Sequence, residues 1–159
     1  MNNLFEGCKD QNGSRLIQLH FEKASDEEKE KIFQQILPFI HTLIEDVFGN
    51  YVIQKILEVG TMQQKIKIYE QMKGKIWRMS HHTYGCRVVQ RALEEFKTKR
   101  ELQLEILQEL SADISTLIQD QNGNHVIQKC FETIPTENLQ FIIDEVTEKV
   151  IALPQRINI

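Results

Sequence analysis

The chain has 159 residues, of which 41% are hydrophobic and 26% charged, and its formal net charge is −4. That composition fits one soluble domain with a substantial core, and the acidic balance excludes a general polyanion binder unless a local basic face overrides it. No apolar run approaches the ~20 residues of a membrane span, and the N-terminus has no charged-then-apolar leader. Cys8, Cys86 and Cys130 are odd in number and widely spaced without a CxxC, which points to a reducing intracellular setting and away from zinc.

Along the chain, Leu4 and Phe5 are the remnant of an opening short helix, and Asp10 then starts the stretch DQNGSRLIQL. Ser25-Asp-Glu-Glu28 has the form of a capping box opening a further helix. Ile40, Leu43 and Ile44 form a short apolar segment, Asp46 starts DVFGNYVIQK, and Phe48, Val52, Ile53, Ile56 and Leu57 recur at helical spacing. Gly60 is placed to close that helix in the left-handed conformation. Thr61-Met-Gln-Gln64 is the next box, before a helix carrying Ile66, Tyr69 and Met72.

The pattern continues with Ile76, Trp77 and Met79, then HTYGCRVVQR, then a Thr98-Lys-Arg-Glu101 box before Leu102, Ile106 and Leu110. Last come Ile114, Leu117 and Ile118, the Asp120 start of DQNGNHVIQK, and Pro135-Thr136 opening a helix with Leu139, Ile142 and Val146. Val150, Ile151 and Leu153 match the short helix of a fifth unit, whose glycine would fall at the chain's end.

This is one unit written four times. The leading glycines, Gly13, Gly49, Gly85 and Gly123, are spaced by 36, 36 and 38 residues. Glutamine follows each by five places (Gln18, Gln54, Gln90, Gln128), and glutamate follows each glutamine by four (Glu22, Glu58, Glu94, Glu132). With no useful strand pattern, the expectation is a single all-α solenoid. Its units run over about 1–36, 37–74, 75–110 and 111–148, with a partial fifth over 149–159.

In the glycine-led helix the third and fourth places are apolar and explain themselves as core. The first, second and fifth do not: Ser14, Arg15, Gln18; Asn50, Tyr51, Gln54; Cys86, Arg87, Gln90; Asn124, His125, Gln128. First and fifth places are neighbours on one helix face, and the second place adds a flat side chain. Stacked units would align them into a ladder equipped to read unstacked bases, amides on base edges and planar groups on base faces. Lys55, Arg91 and Lys129 follow three of the glutamines and supply local positive charge for an RNA backbone. Glu58, Glu94 and Glu132 lie three residues beyond those cations and read as their helical ion-pair partners.

GSRLIQ, GNYVIQK, GCRVVQR and GNHVIQK resemble the recognition helices of Pumilio-type (PUF) RNA-binding repeats, over essentially the whole chain. The match is to the first four of the eight repeats usual in that family. The resemblance implies a curved right-handed α-solenoid of three-helix repeats that binds single-stranded RNA, one base per repeat on the concave face. It also implies a cytoplasmic regulator of messenger-RNA 3′ untranslated regions, with deadenylation or translational-repression proteins as partners and no enzymatic activity or cofactor. In the family's code Ser or Cys with Gln implies adenine and Asn with Gln implies uracil. The antiparallel site is then 5′-UAUA-3′, and the repeats that read the family's UGU triplet have no counterpart here.

A HEAT- or armadillo-type scaffold for protein or peptide would share the architecture, yet it leaves unexplained an amide beside a planar residue in every unit. Cys86 with His81-His82 would suggest a nucleophile and base, but Cys86 fills a slot that holds Ser and Asn elsewhere, and the histidines are expected on an exposed loop. Apolar surface at both solenoid ends raises the further expectation of self-association or a covering partner.

Overall fold

The computed structural model describes residues 3–152, with side chains described through Glu148. Unit one comprises α1 (Asn3–Cys8), α2 (Gln11–Lys23) and α3 (Asp26–Ile36); unit two comprises α4 (Ile40–Ile44), α5 (Gly49–Val59) and α6 (Met62–Met72). Unit three comprises α7 (Ile76–Ser80), α8 (Gly85–Glu95) and α9 (Arg100–Leu110); unit four comprises α10 (Ile114–Gln119), α11 (Gly123–Thr133) and α12 (Gln140–Ala152). No strand occurs among the described residues. The side chains of Val150 and Ile151, and all of Leu153 onward, lie outside the description, and the backbone of residues 149–152 continues α12.

The glycine-led helices form a row, α2 on α5, α5 on α8, α8 on α11, and each also packs on the short helix before it. One continuous core runs through the row. Ile53, Ile56 and Leu57 of α5, Val88, Val89 and Leu93 of α8, and Val126 and Cys130 of α11 are fully buried, joined by Ile40, Leu43, Ile76 and Ile114 from the short helices. Unit one departs from the expected pattern. Leu16, at its third place, is 67% exposed, and among the described residues α2 has a glycine-led neighbour on one side only, α5.

Polar ties stitch neighbouring units. The Lys29 ammonium donates to the Val59 carbonyl (2.8 Å) and the Gln64 amide to Glu30 (2.8 Å). The buried Gln103 amide donates to the Leu93 and Thr133 carbonyls (2.8 and 3.3 Å), and the Trp77 indole to the Asp113 carbonyl (3.2 Å). Buried amides so partnered fix the register between units, because an unpaired one costs ~1–3 kcal/mol.

Several local expectations are corrected. Gly60 ends α5 with φ −73° and ψ 171°, so it is not left-handed; a Cβ there would strike the Ile56 carbonyl, and close approach is the reason for glycine. Thr61 and Gln64 do form the reciprocal box, and Ser25 accepts from the Glu28 N–H (3.2 Å). The Thr98 box does not form; Lys99 is the cap residue of α9 and makes no side-chain cap bond. After Pro135 a 3-10 turn (Thr136–Asn138) intervenes, so α12 begins at Gln140.

Candidate nucleic-acid interface

The repeated glycine is where backbone meets backbone. A Cβ on Gly49 would lie 2.9 Å from the Leu43 carbonyl oxygen and one on Gly85 2.8 Å from that of Met79, in each case six residues earlier. Only glycine lets the recognition helix start this close to the short helix. The turn between them is closed by a side-chain acceptor. Asp46 Oδ2 accepts from the Phe48 and Gly49 N–H groups (2.9 and 2.7 Å), Asp120 Oδ2 from Asn122 and Gly123 (2.8 and 2.7 Å), and Asp10 from Gly13 (2.7 Å). In unit three His82 takes the aspartate's place, its Nδ1 accepting from Tyr84 and Gly85 (both 3.0 Å). That requires a neutral ring with its proton on Nε2.

His81 and His82 are therefore half-buried rather than on an exposed loop. His81 Nδ1 lies 3.2 Å from Asp120 Oδ1, and its backbone carbonyl accepts from the Asn122 amide (2.9 Å), so it ties unit three to unit four. Backbone N–H donation from Gly123, then from Asn122, with His81 adding to it, holds the Asp120 carboxyl below the usual range.

The first-place residues share one behaviour: each donates back to its own helix start. Ser14 Oγ donates to the Gln11 carbonyl (3.1 Å) and Cys86 Sγ to Thr83 (3.4 Å). Asn50 Nδ2 donates to Asp46 and Val47 (2.8 and 3.0 Å), and Asn124 Nδ2 to Asp120 and Gln121 (2.7 and 3.0 Å). Ser14, Asn50 and Cys86 are buried, so a base would reach them only at the floor of a slot. Asn50 has a second consequence. Its two N–H donors are taken by carbonyls, so Oδ1 must face Gln54, whose Nε2 donates to it (2.9 Å). The glutamine is thereby fixed with Oε1 and one N–H left over, the pattern that pairs with uracil N3–H and O2. In unit three Gln90 Nε2 instead donates to the Cys86 carbonyl (3.2 Å).

The second-place side chains, Arg15, Tyr51, Arg87 and His125, are all exposed. The structure joins two of them: Arg87 Nη1 donates to the Tyr51 hydroxyl (2.8 Å), and the guanidinium carbon lies 5.9 Å from the Tyr51 ring centroid. Tyr51, Gln54, Arg87 and Gln90 thus line one open groove across α5 and α8.

The cations after the glutamines are not free charge. Lys55 pairs with Glu58 (3.4 Å) and with Glu22 of the preceding unit (3.8 Å); Lys129 pairs with Glu132 (2.9 Å) and with Glu94 (3.9 Å). Arg91 departs from the expected pairing and meets Glu95 (3.7 Å), while Glu94 is held by Lys97 (2.8 Å). Glu22 and Glu94 bridge consecutive helices, and each of the three cations has a carboxylate within 4 Å. Burial raises the Cys86 thiol above its ordinary pKa. A nucleophilic cysteine needs the opposite shift, and His82 Nδ1 accepts at the helix start while Cys86 Sγ donates to the Thr83 carbonyl.

A family model described as "Pumilio-family RNA binding repeat" matches residues 8–37, 40–72, 75–111 and 113–147. A Pumilio domain-containing protein of Schizosaccharomyces pombe is 31% identical over 146 residues, covering 92% of this chain and 21% of the relative. Putative pumilio homolog 8, chloroplastic, of Arabidopsis thaliana is 38% identical over 144 residues, covering 89% and 28%. Among solved structures, the Puf3 RNA binding domain bound to a Cox17 RNA 3′ UTR recognition sequence superposes with a TM-score of 0.89 at 45% identity, covering 94% of this chain and 42% of that one. PUF-8 in complex with PBE-RNA gives 0.84 at 34% identity, covering 91% and 42%. The chain therefore spans between a fifth and three tenths of the two relatives and under half of these two solved chains.

Proposed function

The chain belongs to the Pumilio family of RNA-binding repeat proteins, and on that premise we propose that it binds single-stranded RNA sequence-specifically along the row α2, α5, α8 and α11. Pumilio-type repeats are themselves the standard instance of one base read per helical repeat by two or three side chains. The pairs Ser14/Gln18, Asn50/Gln54, Cys86/Gln90 and Asn124/Gln128 read base edges, Arg15, Tyr51, Arg87 and His125 stack, and Lys55, Arg91 and Lys129 meet the backbone. The site the code implies is 5′-UAUA-3′. One observation carries the proposal: two planar groups from adjacent units, Tyr51 and Arg87, meet beside the Gln54 and Gln90 amides in one open groove, where a base could enter. Regulation of messenger RNA through 3′ untranslated elements, in the cytoplasm and with repressor or deadenylation partners, follows from the resemblance and from the RNA in the similar Puf3 structure.

Four stacked bases at ~1–3 kcal/mol each give ~4–12 kcal/mol gross, against an association cost of at least ~4 kcal/mol. The isolated chain should therefore bind at about micromolar affinity or weaker. Titration of labelled RNAs should rank 5′-UAUA-3′ above 5′-UGUG-3′ and poly-C. Equal binding to all three would sink the proposal.

A further inference from the structure

Outside the twelve ladder residues, the Tyr84 side chain touches the ladder at Arg87. Tyr84, the residue before Gly85, sits one helical turn ahead of Arg87, and the Arg87 guanidinium carbon lies 5.7 Å from its ring centroid. The same carbon is 5.9 Å from the Tyr51 ring on the neighbouring helix. The guanidinium is thus held by two aromatic rings, one on each side of the junction between α5 and α8, and is tied to Tyr51 by its hydrogen bond. Tyr84 itself is half-buried, and its backbone N–H is anchored by His82. The other units carry Asn12, Phe48 and Asn122 at this place. Only unit three combines an aromatic residue here with a cation at the second place.

We propose that Tyr84 is a positioning residue for the base slot between units two and three. Its ring face holds the Arg87 plane by cation–π attraction and sets where that plane lies when a base enters. Arg87 has long, rotamer-rich freedom that would otherwise be lost on binding; a guanidinium already held loses less, which favours the stacked complex. This inference rests on the RNA-binding reading above for its consequence, though not for the contact itself.

The test uses Tyr84→Phe, the ring of unit two, and Tyr84→Asn, the side chain with which units one and four fold, with Tyr84→Leu as the alternative should Asn unfold the chain. Without RNA, the Arg87 side-chain NMR signals should keep their ring-current shifts in the Phe variant and lose part of them in the Asn variant. With 5′-UAUA-3′, Phe should bind as wild type and Asn about two- to fivefold more weakly. That loss should vanish in an Arg87→Ala background. It should also vanish when one of the two central nucleotides is made abasic, and persist when a terminal one is. A loss that survives Arg87→Ala, or unshifted Arg87 signals in Tyr84→Asn, overturns the proposal. A wild-type chain that does not distinguish 5′-UAUA-3′ from poly-C overturns the RNA reading instead, and the NMR comparison still decides whether Tyr84 holds Arg87.

Discussion

Units two and three share one frame and carry different chemistry on it. Both start their recognition helix against the backbone of the short helix before it, and both bury the third and fourth places fully, Val52 and Ile53 in one, Val88 and Val89 in the other. Yet the carboxylate of Asp46 becomes the imidazole of His82, the Asn50–Gln54 amide pair becomes Cys86 with Gln90, and Tyr51 becomes Arg87. The frame is set by close backbone approach and apolar burial, which both units keep. The first places make back-bonds that Ser, Asn and Cys can all make, so they vary without disturbing the frame.

If the frame is common, breaking it should hurt both units alike. Gly49→Ala and Gly85→Ala should each destabilise by about 1–3 kcal/mol through overpacking, although alanine is the better helix former by about 1 kcal/mol. Urea midpoints measure this, and a neutral result in one unit would show that its frame is looser. The reading chemistry should be exchangeable between units. Cys86→Asn gives unit three the first place of unit two. It should shift that unit's base preference from adenine toward uracil by about tenfold, or ~1.4 kcal/mol, read by titrating base-substituted RNAs. An unchanged preference would mean that the first place does not contribute to reading.

The helix starts separate the units by chemistry rather than strength. Asp46→Ala and His82→Ala should each cost about 1 kcal/mol near neutral pH, while His82→Asp should keep wild-type stability. Acid removes the acceptor of a carboxylate helix start. Unit four offers the carboxylate case. The folded pKa of Asp120 is depressed, so its contribution is fully present above the unfolded value of about 3.9 and is lost as pH falls below that through the folded value. Asp120→Asn should flatten the acid limb of the stability curve below about pH 4, and an unaltered limb would remove this account. The smallest effect is expected at the ion-pair bridges. Lys55→Met should change stability by under about 1 kcal/mol, since its glutamate partners are largely exposed.

The amino-acid sequence alone establishes that the chain is all-α, that it repeats at 36 to 38 residues, that Asp10 caps a helix, and that twelve polar or planar side chains recur at the same places of the unit. Asp46 and Asp120 instead close the turn two residues before the cap. These are local properties: helical period and cap chemistry act within a few residues, so a linear pattern carries them. What spacing leaves open is the distance between units. Leu16 has the same place in the pattern as Val52, yet it is exposed where Val52 is buried: α5 lies between α2 and α8 in the row, whereas α2 has only α5 beside it in that row among the described residues. Arg91 takes Glu95 rather than Glu94 while Lys97 and Lys129 hold Glu94. His82 serves as a helix start, and Tyr84 meets Arg87, because the turn brings them there. Asn50 orients Gln54 instead of standing open to solvent. In each case the choice belongs to packing, which decides among several partners of equal local merit by which one the neighbouring helix leaves within reach.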